Sequence, residues 1–84
     1  MDLNYTHVYF MPGMAANSSI FEYIQLPPNQ FQIHLLEWIQ PLYKETLSSY
    51  AQRMSVKIIH DDPVLIGVSF GGVLVQEMSF FLKV

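Results

Sequence analysis

The sequence predicts an α/β fold, a three-stranded parallel βαβαβα unit. Two observations support this prediction. First, three apolar runs of strand length, at residues 7–11, 31–36 and 64–68, are separated by segments with helix-capping signals or helical spacing. Second, the run at residues 7–11 is almost continuously apolar, which is typical of a strand buried on both faces of a parallel sheet. Alternation of this kind favours βαβ units with right-handed crossovers.

The first half of the chain is expected to contain a strand, a helix and a second strand. The strand at residues 7–11 leads to a helix that begins near Ser19, because Ser19 and Glu22 match the S-x-x-E capping box. The sequence Pro-Pro-Asn at residues 27–29 ends this helix. Residues 31–36 then form the second strand.

The second half is expected to contain a helix, a strand and a final helix. Thr46 is a suitable N-cap for the second helix. Apolar side chains then recur at three- and four-residue steps, as in an amphipathic helix: Leu47, Tyr50, Ala51 and Met54. We interpret this stripe as core. Residues 64–68 form the third strand, and the third helix runs from about Phe70 towards the end of the chain.

The most informative segment is GVSFGG, at residues 67–72, between the third strand and the third helix. A serine on a sharp strand-to-helix turn exposes its hydroxyl at the N-terminus of a helix, where developing negative charge is favoured. Gly67, Gly71 and Gly72 leave room for the crowded backbone of such a turn. The alternative for Gly71 and Gly72 is close packing of helix on strand, without chemistry.

The chain's remaining glycine, Gly13, follows the first strand in the sequence MPGM. Sites in doubly wound sheets form where loops leave the carboxyl ends of strands. Both glycine clusters fall at such ends, so we expect Gly13 and Ser69 to lie at the same edge of the sheet.

From about residue 6 to its end, the chain resembles the N-terminal portion of the α/β-hydrolase superfamily, in particular small serine hydrolases of the esterase and lipase type. The resemblance rests on the FMPGM loop at residues 10–14 and on the GVSFGG segment. It implies that Ser69 is the nucleophile and that the backbone N–H groups of Met14 and Phe70 form the oxyanion hole. It further implies a partial domain over residues 1–84, with the first strand between the other two and no cofactor.

The family's catalytic acid and histidine are not found where the resemblance would require them. They follow the serine in the chain, but after Ser69 the sequence has only Glu77 and no histidine. His7, His34 and His60 all precede it, and we interpret each as a surface, edge or loop residue. Without a base, a serine hydroxyl stays protonated and is a poor nucleophile.

A metal site is not expected either. His60, Asp61 and Asp62 are adjacent in a loop, and adjacent loop residues rarely converge on one ion. Trp38 and Ile39, just past the second strand, either line an apolar wall of the substrate site or simply pack in the core.

Two functional hypotheses remain open. In the first, the chain is a fragment of a serine hydrolase that acts on carboxylic esters or related acyl substrates, a small-molecule acyl ester being the parent enzyme's substrate. In the second, it is a catalytically inert truncated or assembly piece with the fold only. In either case we expect this chain alone to be inactive. We also expect it to self-associate or to bind the missing C-terminal part, because residues 64–68 would form an exposed apolar edge and residues 80–82 an apolar end.

Composition excludes several other classes. With 4 Lys and Arg in total and a net charge of −3, the chain is not expected to bind nucleic acid. No apolar run approaches the roughly 20 residues of a membrane-spanning helix, so no membrane span is expected. No secretory signal is evident, which favours a cytoplasmic location. The absence of cysteine excludes disulfides and thiolate chemistry.

Overall fold

The computed structural model describes residues 5–82 and contains a three-stranded parallel sheet. The strands are β1 (Thr6–Met11), β2 (Phe31–Leu35) and β3 (Val64–Gly67), in the order β2-β1-β3. The predicted α/β class is therefore confirmed, and β1 lies in the middle as expected. The relation to α/β-hydrolases stays a prediction.

Two α-helices follow the second and third strands. Helix α1 (Leu47–Ser55) begins at the predicted cap: the Thr46 hydroxyl accepts a hydrogen bond of 3.0 Å from the backbone N–H of Ser49. Helix α2 (Phe70–Met78) starts three residues after β3 ends and continues into a short 3₁₀ turn, Ser79–Phe81. None of the helices in residues 5–82 has the length and apolar character that crossing a bilayer requires.

The first predicted helix is wrong, because the chain forms only a four-residue 3₁₀ turn there, Ser18–Phe21. Its cap is Asn17, whose side chain accepts from the N–H of Ser19 at 2.9 Å, so the Ser19–Glu22 capping box does not form. The N–H of Ser18 donates to the Glu37 carboxylate at 3.1 Å. This contact with the segment after β2 holds the start of the turn one residue before the predicted cap.

The side chains of β1 alternate between two apolar layers, as the pleat requires. Tyr9 and Met11 face the layer formed by α1 and α2, whose buried members include Tyr50, Ala51, Met54, Leu74, Val75 and Met78. Val8 and Phe10 face the opposite side and pack with Phe21 of the 3₁₀ turn. The main core therefore lies between the sheet and the two α-helices.

Within residues 5–82, the opposite face of the sheet is covered only along its middle. Phe21 covers β1, and its ring lies 4.9 Å from that of Phe10. The neighbouring apolar side chains of the outer strands remain 37–47% exposed: Ile33, Leu35, Val64 and Ile66. A short 3₁₀ turn in place of a full helix thus leaves apolar rows uncovered on both outer strands.

Candidate functional site

Ser69 lies at a sharp turn between β3 and α2. Its backbone has φ 58° and ψ −125°, a conformation that costs a residue other than glycine about 1–3 kcal/mol. Hydrogen bonds on both sides hold the turn: the N–H of Val68 donates to the carbonyl of Met11 at 3.0 Å, and that of Gly72 donates to the carbonyl of Ser69 at 2.9 Å. The surrounding structure therefore imposes this conformation on Ser69.

Two of the glycines at this turn are required by close backbone approach. A Cβ on Gly67 would lie 2.2 Å from the carbonyl oxygen of Gly71, and one on Gly71 would lie 2.5 Å from that of Pro12. Gly72 differs, because a Cβ there would meet its nearest atom, in Gly67, at 3.4 Å. Gly67 and Gly71 thus allow α2 to sit directly against β3 and the loop after β1.

The structure brings the two glycine clusters together, as the sequence predicted. A Cβ on Gly13 would lie 3.5 Å from the Cβ of Ser69. The N–H groups of Met14 and Phe70, the predicted oxyanion donors, donate no backbone hydrogen bond to any group in the described residues 5–82. Each of the two loops therefore offers one free N–H donor, that of Met14 after Gly13 and that of Phe70 after Ser69. Their catalytic role stays a prediction.

Trp38 connects the two loops, a role that the sequence did not reveal. Its indole Nε1 donates to the carbonyl oxygens of Pro12 and Gly13, at 3.1 and 3.0 Å. Its ring also stacks on that of Phe70, with centroids 5.9 Å apart and an interplanar angle of 11°. The side chain therefore fixes the loop after β1 relative to the first residue of α2.

A cavity of about 420 Å³ opens beside this turn. Its lining is mostly apolar and includes Met14, Trp38, Ile39, Leu47, Tyr50 and Phe70. The Tyr50 hydroxyl donates to the carbonyl of Ile39 at 2.6 Å and accepts from its N–H at 2.8 Å, which holds the wall formed after β2. Of the two interpretations of Trp38 and Ile39, lining an apolar wall fits this geometry, and both residues also pack against the core.

One charged pair borders the cavity. Glu45, at its rim, receives hydrogen bonds from Arg53 Nε and Nη2 at 2.8 and 2.7 Å. These bonds from the guanidinium, together with the N–H of Leu42 and the hydroxyl of Ser49, lower the pKa of Glu45 to about 2. The carboxylate thus stabilises the segment before α1 through these hydrogen bonds. With so low a pKa it is a weak base and is ill-suited to act as a general base near neutral pH.

The Ser69 hydroxyl has no general base within the part of the chain that the structure describes. No side chain of residues 5–82 makes a hydrogen bond with it. Glu77 lies eight residues further along α2, about 12 Å away along the helix axis. All three histidines lie elsewhere, near the amino ends of β1 and β3 and within β2.

The histidines form a cluster that sequence reasoning missed. His7 Nδ1 and His34 Nε2 are 2.9 Å apart, and the rings of His7 and His60 stack with centroids 3.4 Å apart. The Tyr9 hydroxyl lies 2.6 Å from Nδ1 of His60. Each histidine offers a nitrogen within 4.8 Å of the others, so these three residues could hold a metal ion.

Strand register explains the convergence of the cluster. His34 pairs with Tyr9, two residues beyond His7, so all three side chains point to the same face of the sheet. Partial burial, with a smaller repulsion from the nearby His60, lowers the pKa values of His7 and His34. The interpretation of His34 as an edge residue and of His60 as a loop residue agrees with the structure, whereas their contact with His7 was not predicted. A metal site formed by His60, Asp61 and Asp62 was not expected, and the structure instead groups His60 with His7 and His34.

Comparison with known proteins adds no relative. No protein-family model, curated protein or solved structure matches the chain. The fold defines an α/β protein with a small parallel sheet, and its function must be argued from the geometry around Ser69.

Proposed function

We propose that this chain is a fragment of a serine hydrolase of the α/β-hydrolase type, and that the parent enzyme acts on carboxylic esters or related acyl substrates. The observation that supports this proposal best is the conformation of Ser69. A non-glycine residue is held at positive φ, at the N-terminus of a helix and in contact with the loop of Gly13. Strained backbone of this kind is typical of functional sites.

In the proposed reaction, the Ser69 oxygen attacks the carbonyl carbon of the acyl substrate. The carbonyl oxygen becomes an oxyanion and accepts hydrogen bonds from the free N–H groups of Met14 and Phe70. The positive end of α2 further stabilises this charge. Because these donors are backbone groups fixed by the fold, they need little reorganisation as the charge develops.

The hydroxyl proton must go to a base, and the described residues do not offer one at Ser69. We therefore assign that role to a histidine of a longer parent protein, supported by an acid. The serine and the oxyanion donors alone would stabilise a tetrahedral adduct without activating the nucleophile. On this proposal the chain by itself is a poor catalyst.

The apolar cavity is the proposed acyl-binding site. Phe70 and Met14 contribute both to its lining and to the pair of oxyanion donors. A carbonyl group held by those donors would therefore place its apolar substituent against Trp38 and Leu47. Such a site favours an uncharged alkyl or aryl acyl group over a charged one.

The second candidate is a catalytically inert piece that retains only the fold. It is supported by the absence of a base at Ser69 within residues 5–82 and by the uncovered apolar face of the sheet. On this hypothesis Ser69 and the glycines preserve the packing of helix on strand and do nothing further.

Labelling with a fluorophosphonate separates the two hypotheses. The full chain is treated with the probe with and without millimolar imidazole, which supplies the missing base from solution, and the modified residue is identified by mass spectrometry. We expect modification of Ser69, increased by imidazole and well above that of the same chain unfolded in urea. S69A should abolish it, whereas S48A, at an exposed serine of α1, should not.

The proposal fails if folded and urea-unfolded chains are labelled at Ser69 at the same rate, because the folded site would then contribute nothing. Circular dichroism of S69A and S48A shows whether each variant is folded, so that loss of labelling is not mistaken for loss of structure.

A further inference from the structure

We propose that His7, His34 and His60 bind one divalent transition-metal ion of the zinc type. This inference is independent of the proposed hydrolase activity and rests on the histidine cluster alone. Three imidazoles are a common ligand set for Zn²⁺, which favours nitrogen donors in tetrahedral geometry. The fourth position is then left for a water molecule.

The spacing of two nitrogens already approaches that of a metal site. A tetrahedral ion with Zn–N bonds of about 2.0–2.1 Å holds its ligand nitrogens about 3.3 Å apart. His7 Nδ1 and His34 Nε2 are separated by 2.9 Å and share one proton in a hydrogen bond. Opening this pair by roughly 0.4 Å and tilting the two rings, so that both lone pairs converge on a point beside the line between the nitrogens, would replace the shared proton with an ion.

Tyr9 orients the third ligand, His60, through a hydrogen bond. Its ring is 3% exposed, and its hydroxyl lies 2.6 Å from His60 Nδ1 and accepts weakly from the N–H of Ile59 at 3.4 Å. A hydroxyl that accepts the Nδ1 proton leaves the Nε2 lone pair of His60 available for the ion. Hydrogen bonds that fix the tautomer and ring orientation in this way are typical of metal-binding histidines.

Besides the opening of the pair formed by His7 and His34, binding needs a movement of His60. The rings of His7 and His60 are stacked with an interplanar angle of 7°, so their nitrogens do not yet aim at one point. His60 is in a bend before β3 and not within the sheet, so its ring can turn without disturbing a strand. A small shift of the bend that unstacks this ring and keeps its Nδ1 bonded to the Tyr9 hydroxyl would bring Nε2 towards the pair formed by His7 and His34.

The ion would be structural in its effect on this chain. Its three ligands come from β1, from β2 and from the bend before β3, so one ion would connect all three strands of the sheet. From His7 to Met11 the chain extends about 13 Å along β1, and Gly13 and Ser69 lie beyond that end of the strand. An ion at the histidines is therefore too far from Ser69 to polarise a substrate bound there.

Titration of the full 84-residue chain, prepared without a polyhistidine tag, tests the proposal. Isothermal calorimetry with ZnCl₂ should show one saturable site per chain. CoCl₂ should give the intense visible absorption of tetrahedral Co²⁺ with nitrogen ligands. MgCl₂ should give neither signal, because Mg²⁺ prefers oxygen ligands.

Variants identify the ligands. H7Q, H34Q and H60Q should each weaken Zn²⁺ binding at least tenfold, and Y9F, which keeps the buried ring, should weaken it about 10- to 100-fold. D61N and D62N are the matched controls and should bind as the unchanged chain does. Since a histidine variant could lose structure, Y9F and the increase in melting temperature of the unchanged chain on adding Zn²⁺ provide independent readouts.

Any of three results would overturn the inference. These are the absence of saturable Zn²⁺ binding by the folded chain, full affinity in H34Q, and equal loss in D61N and H60Q. The last would move the ion to the loop at residues 60–62.

Discussion

Gly67 and Gly71 pack so closely that a Cβ on the first would lie 2.2 Å from the carbonyl oxygen of the second. The contact is between backbone atoms of β3 and α2. Backbone atoms cannot move aside by changing a side-chain rotamer. It sets the distance between the strand and the helix on either side of Ser69. Both glycines have negative φ, so the requirement for glycine here is one of space and not of conformation.

Substitution of Gly67 by alanine should therefore destabilise the chain, by about 1–3 kcal/mol or more, because the new methyl group overpacks a rigid contact. G72A is the matched control. Its methyl group meets only ordinary contacts, and alanine favours a helix over glycine by about 0.5–1 kcal/mol. Urea unfolding followed by circular dichroism measures both. Equal stability of G67A and the unchanged chain would contradict the close approach.

Ser69 offers a direct measurement of backbone strain. Glycine accepts φ 58° without a Cβ clash, whereas alanine has the same clash as serine. We expect S69G to be more stable than S69A by about 1 kcal/mol, since a strain of about 1–3 kcal/mol is partly offset by the greater unfolded-state entropy of glycine. The unfolding free energies of the two variants are compared in urea. A more stable S69A would mean that the turn is unstrained.

The pair of Glu45 and Arg53 predicts an acid-dependent loss of stability. The pKa of Glu45 in the folded chain is lowered to about 2 from 4.5. The folded state therefore holds this proton less tightly than the unfolded state, and the ion pair stabilises the fold at pH above about 4.5. This contribution is lost as the pH falls from about 4.5 towards 2.

E45Q tests that pH dependence. The difference in unfolding free energy between the unchanged chain and E45Q should be present at pH 7 and should shrink as the pH falls towards 2. E22Q, at an exposed glutamate, is the control and should give a smaller difference. If the difference between E45Q and the unchanged chain is the same at every pH, the pKa of Glu45 is not lowered.

The outer strands predict self-association. β3 pairs with β1 on one side only within the described residues, and Val64 and Ile66 are each 40% exposed. An unpaired edge with apolar side chains favours pairing with another chain. We expect sedimentation velocity at tens of micromolar to show a dimer or larger species.

I66K should shift that equilibrium towards the monomer, because a charged side chain on the edge disfavours strand pairing. I59K is the control, since Ile59 is 80% exposed but lies outside the strands. A monomer at all concentrations, or equal effects of I66K and I59K, would exclude association through β3.

Features set by short-range chemistry were predictable from the sequence. Thr46 caps α1 because its hydroxyl has to reach only the third residue ahead, Ser49. The meeting of Gly13 and Ser69 followed from a general property of parallel sheets, whose strands present their carboxyl ends at one edge. At residues 17–19 two residues, Asn17 and Ser19, could cap, and a contact of the intervening Ser18 with Glu37, 19 residues away, favoured the earlier one.

The histidine cluster was not predictable, because it also depends on contacts between residues that are distant in the sequence. His7 and His34 are 27 residues apart, and they meet because of the register between β1 and β2. A register shifted by one residue would place His34 on the opposite face of the sheet. The sequence shows three isolated histidines, and only the pairing of strands brings them together. The role of Trp38 likewise depends on the carbonyl groups of Pro12 and Gly13, in a loop 26 and 25 residues before it.

Trp38 is the chain's single tryptophan, and this has a practical consequence. All of its tryptophan fluorescence originates at the wall between the loop after β1 and the start of α2. An acyl ligand that enters the cavity, or a loop that opens away from it, would change the polarity around the indole and so shift its emission. The protein therefore contains its own optical reporter at the site where chemistry is proposed, and no dye has to be attached to watch it.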